Sequence, residues 1–445
     1  MLEAGLTGFP AAEFKKWLNL GGDFGACRRK RLYTPARTFW LFLSQVMSGD
    51  CSCRETTRGF LGRLCAGKAL KASVKTAGYC KARVRLPVKD IMRVNRTLVR
   101  KIGSGEGRWR GREVKVIDGT CVSMPDTIRN GEIWPQPKGA KAGCGFPVMR
   151  LVAMFSLFSG VMVDCSLGSL HAGERRLFRR LWRILKPGEV VLGDRGFCDY
   201  ASFWLLDRFG VDCVMRKHQR REGKAIRRFG KGDYLMEWRK NGNKPAWLSG
   251  KDWESVPASM LVREIKVNVN IKGFRTKIVT IATTLTDYRS FRAQDFAYLY
   301  FKRWSVELYL RDIKGALGMD VLRCKSPEMV VKELWMKIIG YNLIRAVMLE
   351  AGRRGGVSAG RLSFEGTLGT LRQWLPLLSG PDTSKNRRDF LYGAMLDCIA
   401  RDEVPLRPGR SEPRARKRRP KKYQLLTRPR EVFHETPHRG RYVAA

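Results

Sequence analysis

GEVVLGDRGFCDYASFWLLDRFGVDCVMR, residues 188–216, is the stretch on which the fold turns. GEVVLGDRGF reads as a short buried strand running into a turn, YASFWLLDRFG as a helix, and VDCVMR as a second strand. Upstream, HAGERRLFRRLWRILKPG (171–188) reads as a helix, with Leu177, Leu181, Ile184 and Leu185 at helical spacing and Gly188 after its end. MRLVAMFSLFSGVMVDCSLGSL (149–170) reads as two strands joined at Ser159-Gly160, and EVKVIDGTCVSM (113–124) alternates like another. Strands, helix, strand, helix and strand imply an α/β sheet of mixed direction.

Downstream the pattern breaks. Residues 217 to about 276 are charged and Gly-rich, with alternating runs such as REIKVNVNI, and read as a β-rich insertion. KIVTIATTL (277–285) returns to a core strand, and residues 290–319 read as one long helix. Before the sheet, TPARTFWLFLSQVM and CRETTRGFLGRL read as helices around the turn SGDCS. That pattern fits a DNA-binding helical unit or a bundle that merely packs. IGSGEGRWRGR (102–112) reads as a linker. The expected organisation is a helical DNA-binding domain over 1–108, a catalytic domain over 109–345 holding the insertion, further helices over 346–403, and a basic disordered tail over 404–445.

Charge narrows the function. The 445 residues carry 86 Lys+Arg against 41 Asp+Glu, a net charge of +45. A chain that basic repels itself unless a polyanion neutralises it, so nucleic acid is the first partner to consider. From residue 405 onward the tail alone holds 13 basic groups against 3 acidic ones. No apolar run reaches the length of a membrane span, and no signal-peptide pattern opens the chain. A cytoplasmic, nucleoid-associated protein with no membrane partner is expected. The 12 cysteines are scattered, and Cys51, Cys53, Cys65 and Cys80 match no common zinc spacing. With four histidines, two of them in the tail, a Ser-His-Asp hydrolase is disfavoured, and no Walker-type phosphate loop appears.

Three carboxylates remain where chemistry would need them. Asp118 follows the run Val114, Val116, Ile117, with Gly119 next to allow close approach. Asp194 follows EVVLG at a strand's carboxyl end, where α/β sheets place ligand sites. Glu307 lies in YFKRWSVELYLRDIKG, residues 300–315. On a helix turning about 100° per residue, Tyr300, Arg303, Glu307 and Lys314 fall within an arc of roughly 60°. Three hard oxygen ligands suit Mg²⁺, which keeps waters and substrate phosphates as its other ligands.

These residues resemble the DDE transposases of bacterial insertion sequences, in particular insertion-sequence family four. The glutamate helix of that group reads Y-x2-R-x3-E-x6-K, complete here as Tyr300, Arg303, Glu307 and Lys314, with Trp304 after the arginine. VIDGT around Asp118 and GDRGF around Asp194 resemble its two aspartate motifs. The gaps of 76 and 113 residues between the acids match a group whose insertion separates the second aspartate from the glutamate. The resemblance covers roughly residues 110–345.

The resemblance implies an RNase H-like catalytic core and a metal site of Asp118, Asp194 and Glu307 holding Mg²⁺ or Mn²⁺. It implies phosphodiester hydrolysis and transesterification in cut-and-paste transposition. The partners would be double-stranded DNA, as terminal inverted repeats and target, bound by a homodimer. Tyr300, Arg303 and Lys314 would then hold DNA phosphates, and Trp304 would stack on or brace a displaced base. Two alternatives stand beside this reading: a DNA-binding relative without catalysis, and a nuclease of the same fold.

Overall fold

The apolar runs around residues 188–216 pair as strands at the centre of a nine-stranded sheet. The computed structural model describes residues 31–50, 52–65, 73–103, 107–136, 145–240, 242–269, 278–380, 383–406 and 432. The basic tail expected over 404–445 therefore lies almost wholly outside the described residues, as do Cys51 and residues 270–277 beside the insertion.

In chain order the elements are α1 (Pro35–Met47), α2 (Cys53–Leu64), α3 (Ala77–Arg85), α4 (Val88–Ile102), β1 (Val114–Ser123), α5 (Ile128–Ile133), β2 (Val148–Ser156), β3 (Met162–Ser169), α6 (Glu174–Arg179), β4 (Val190–Gly193) and α7 (Tyr200–Arg208). There follow β5 (Asp212–Arg216), β6 (Gly223–Gly230), β7 (Asp233–Arg239), α8 (Gly250–Ser255), β8 (Ser259–Asn268), β9 (Ile278–Thr283), α9 (Ala293–Lys302), α10 (Ser305–Gly315), α11 (Pro327–Gly355), α12 (Phe364–Leu378) and α13 (Lys385–Arg401). The sheet order is β3-β2-β1-β4-β5-β9-β8-β7-β6. β1, β4 and β5 are parallel, and the flanking pairs are antiparallel. The insertion strands β6, β7 and β8 extend this one sheet through β9.

Alternation along the strands sorts side chains to two faces. Val114, Val116, Leu192 and Val214 join a core that includes residues of α1, α4, α10 and α11. Ile117, Val191, Cys213 and Met215 join a second core with residues of α6 and α7. Both faces of the central strands are thus covered, which is why those runs are almost wholly apolar.

Helix α11 organises the first core. Pro327 opens it, and Gly356, in the left-handed region at φ 67°, closes it. Its side chains are buried on nearly all sides from Met329 to Gly352. Several of its buried polar groups donate to backbone carbonyls elsewhere in the fold. Lys332 Nζ donates to Val84 O at 2.6 Å and Lys337 Nζ to Leu317 O at 2.6 Å. Arg345 donates from Nε and Nη2 to Ser159 O, and Tyr341 from its hydroxyl to Gly160 O. A Cβ at Gly160 would lie 2.5 Å from Arg345 Nη2, so only glycine fits that turn.

Several expectations change here. The helix read over 171–188 is only α6 and a 3₁₀ turn at Trp182–Ile184. Its bonds tighten to i→i−3 after Phe178, which brings Trp182 against the Phe178 ring at 5.8 Å. The described end of the supposed linker is an anchored two-residue turn, with Arg110 at φ 49° and Gly111 at φ 78°. Trp109 stacks on Phe291 at 5.5 Å, and Arg110 grips Asp295 at 2.7 and 2.8 Å. The division at 345/346 falls inside α11, which runs through it unbroken. Helix α1 is buried over most of its length, in the same core as α11, while α2 exposes Arg54 and Arg58. No described helix is long and apolar enough to cross a membrane.

Candidate active site

Strand register assembles the site. In the parallel pair β1–β4, Val114 lies opposite Val190 and Val116 opposite Leu192. The same offset carried two residues further sets Asp118 level with Asp194. In the pair β4–β5, Val190 lies opposite Asp212 and Gly193 opposite Met215, so Arg216 continues the row. Neighbouring strands lie about 4.8 Å apart. By alternation the three charged residues share the face of Val116, Leu192 and Val214, the face that α10 covers.

The glutamate stretch is two helices and not the single one expected. α9 ends at Lys302 and α10 begins at Ser305. Across the junction Arg303 N bonds Tyr300 O, Val306 N bonds Arg303 O and Glu307 N bonds Trp304 O, all i→i−3. The tightened turn adds rotation between Tyr300 and Glu307 relative to a uniform α-helix. Tyr300, Arg303 and Glu307 nevertheless stay at one site. Arg303 is 9% exposed and donates from Nη2 to Glu307 Oε1 at 3.2 Å, and its Nε is buried with no hydrogen-bond partner among the described residues.

The electrostatics follow from this arrangement. Burial pushes the Asp118 carboxyl up to about 6. The Gly119 N–H, 2.8 Å from Oδ1, and the Arg303 charge pull it down, while Asp194 and Glu307 push it further up. Burial likewise lifts the Tyr300 phenol to about 12, with Arg303, Arg216 and Asp194 among the charges it feels. Asp194 is oriented by the Gly196 N–H, which donates to Oδ1 at 2.8 Å. A Cβ at Gly119 would lie 2.6 Å from Oε1 of the flexible Glu174 side chain, which is 41% exposed and can move aside.

Lys314 and Trp304 take other places. Lys314 Nζ donates to Thr120 Oγ1 at 3.1 Å and Cys121 O at 2.9 Å, tying α10 to the end of β1. Trp304 packs edge-on to Phe301 at 5.5 Å, with the Arg303 guanidinium 5.7 Å from its ring. Arg216 escaped the sequence reading because a lone arginine ending a strand carries no motif. Its signal is the register: it stands 22 residues after Asp194, the β4–β5 offset.

The donor set fits a hard divalent ion in kind: three carboxylates, one of them desolvated and pushed upward by the other two. As placed, no three His, Cys, Asp or Glu side chains among the described residues stand close enough to hold one. Glu307 points to Arg303 instead, and its side chain is 58% exposed, so a change of rotamer is open to it.

Known proteins resemble this chain in sequence. The family described as "Transposase DDE domain" matches residues 109–343. Transposase InsG for insertion sequence element IS4 of Escherichia coli (strain K12) is 29% identical over 325 residues, covering 71% of this chain and 70% of that protein. A cryo-EM structure of the piggyBac transposase synaptic complex with hairpin DNA aligns over 92% of this chain and 84% of its own, with 10% identity and a TM-score of 0.40. The span from the anchored turn at Trp109 through β1, β4 and the glutamate helix is the part the family shares, and the chain belongs to the DDE transposases, of the insertion-sequence type that its Y-x2-R-x3-E-x6-K signature resembles.

Proposed function

We propose that this transposase cleaves DNA at the ends of an insertion sequence and joins those ends to target DNA, with Asp118, Asp194 and Glu307 as its metal ligands. The observation that carries the reading is the register that sets Asp118 level with Asp194 under the helix bearing Glu307. The order β3-β2-β1-β4-β5, antiparallel and then parallel, supports an RNase H-like core with β6–β8 as its insertion. Mg²⁺ or Mn²⁺ held there would activate a water or a 3′-hydroxyl and stabilise the leaving oxygen.

The protein's own groups do the rest. Arg303 has a buried Nε with no hydrogen-bond partner among the described residues, and the turning of Glu307 to a metal would free its Nη2 for a phosphate oxygen. A guanidinium there stabilises charge gathering on the equatorial oxygens. Arg216 and the Tyr300 hydroxyl complete the electropositive side of the row. Lys314 holds α10 on β1, and Trp304 stands at the rim to brace a base. The substrates are terminal inverted repeats and target duplex, bound by a homodimer in the bacterial cytoplasm. The helices before residue 108, with Arg54 and Arg58 outermost on α2, read the ends, and the tail after 404 adds phosphate contacts.

The deciding experiment incubates the full chain with Mg²⁺ and a fragment bearing the element's own ends. Excision with joining supports the reading. Cleavage without joining favours a nuclease, and binding without cleavage favours an inactive relative.

A further inference from the structure

A second group of cations lies just beyond Asp194. Arg195 follows that aspartate directly, and Arg175 Nε, on α6, donates to Gly196 O at 2.8 Å. The loop after β5 comes in alongside. Arg195 Nη1 donates to Gln219 Oε1 at 3.3 Å, Arg220 N to His218 Nδ1 at 3.2 Å, and Arg221 N to His218 O at 2.9 Å. Burial, together with the charges of Arg175, Arg220, Arg195 and Arg221, holds the His218 imidazole below its ordinary range. Arg195 and Arg220 are exposed, and neither they nor Arg175 is ion-paired with a carboxylate among the described residues. The nearby acid Asp199 is buried, its carboxylate occupied by the Ser202 N–H at 3.0 Å and the Ser202 hydroxyl at 2.6 Å.

Some exposed cations of the fold have an acidic partner. Arg110 pairs with Asp295, Arg129 with Glu328 and Arg354 with Asp397. Guanidinium groups gathered on α6 and two loops without an acidic partner among the described residues repel one another, and that arrangement costs stability unless a polyanion lies across them. The bonds to Gly196 O and Gln219 hold Arg175, on α6, and Arg195, after β4, to the turns that follow β4 and β5. The substrate is the one polyanion the reaction supplies.

We infer that Arg175, Arg195 and Arg220, at the carboxyl ends of β4 and β5, form a cradle for the phosphodiester backbone of the duplex running away from the scissile bond. This rests on the transposase reading above for its substrate, and it adds a side: the DNA leaves the acid row past Asp194, over the α6 edge of the sheet. Two duplexes share that chemistry, the flanking donor DNA before cleavage and the target DNA after it. Flanking DNA is the occupant we assign, because Arg195 adjoins the metal-ligand candidate Asp194 in the chain and flank is continuous with the scissile phosphate.

The test uses the full-length protein and the exposed pair Arg195→Ala/Arg220→Ala, with Arg195→Lys/Arg220→Lys as its partner. Binding is measured against salt for an end duplex with a 20-base-pair flank, for the same end cut flush, and for a flush end offered a separate target duplex. With the flank, the alanine pair should lose about tenfold in affinity and about one to two units of the log–log salt slope. The lysine pair should recover most of both, since backbone phosphates accept a point charge. The flush end should show little change. An unchanged slope on the flanked duplex, in a protein with wild-type melting temperature, overturns the cradle. A loss confined to target binding overturns the flank assignment. Repeating the measurement in an Asp118→Ala background, with the duplexes checked by gel to be uncut, keeps this result independent of whether the acid row is catalytic.

Discussion

Asp118 on β1 and Asp194 directly after β4 come level when the β1–β4 offset, Val114 against Val190, is carried two residues past the last pair, Val116 and Leu192, because that offset equals the spacing between the two aspartates. A one-residue slip in that register would send one carboxylate to the opposite face, among Ile117 and Val191. The register is held by apolar side chains on both faces, Val114, Val116, Val190 and Leu192 on one and Ile117 and Val191 on the other, so the alignment of the acids is a by-product of core packing.

Each of Asp118→Ala, Asp194→Ala and Glu307→Ala should abolish cleavage and leave DNA binding within a few-fold of wild type. Gel-based cleavage and binding assays on one preparation separate the two. Retained cleavage in any variant would remove that residue from the metal site.

Asp118 should make the protein more stable in mild acid than at neutral pH. Its folded carboxyl is raised from 3.8 to about 6. Its contribution is therefore full below about pH 4 and lost as pH rises through 6. Asp118→Asn, which never ionises, should melt higher than wild type at pH 7.5, by up to about 2 kcal/mol, and show no advantage at pH 4. Mg²⁺ should stabilise the wild type and not the variant. Equal melting curves at pH 7.5 would mean the buried charge is already compensated.

Arg303 and Lys314 should separate, although one signature holds both. Arg303→Ala should cut cleavage by roughly a hundredfold with little loss of melting temperature, and Arg303→Lys should rescue only part, lacking the planar fork. Lys314→Met removes bonds to Thr120 and Cys121, so it should lower both activity and stability, the latter by about 1–2 kcal/mol. Thermal melts beside single-turnover cleavage distinguish them. If Lys314→Met loses activity at full stability, the lysine acts on the substrate.

Much of this was legible in the residues. The strands around 113–124 and 188–216 declare themselves through short apolar runs, and the acids sit at their ends. The break at Arg303-Trp304 was not legible, since every residue there suits a helix and the tightening shows only in backbone bonds. The cationic grouping at Arg175, Arg195 and Arg220 spans a helix and two loops. Spacing shows what one element presents, while what two elements share needs the fold.

The last prediction concerns the joint between insertion and core. Arg263 on β8 is 1% exposed, donates to both Asp233 oxygens on β7 at 2.8 and 2.6 Å, and bonds Phe291 O at 2.7 Å ahead of α9. The pair fixes the insertion strands to the segment leading into the glutamate helices. A buried ion pair adds little against an apolar substitute, but removing one partner strands the other's charge. Arg263→Met should therefore destabilise by about 3–5 kcal/mol, and Asp233→Leu by a similar amount. The double variant should cost far less than the sum of the two, because no uncompensated charge is left. Denaturant melts of the four proteins close the cycle. Simple additivity would show that Arg263 and Asp233 act independently, and the joint would then rest on the Phe291 carbonyl bond alone.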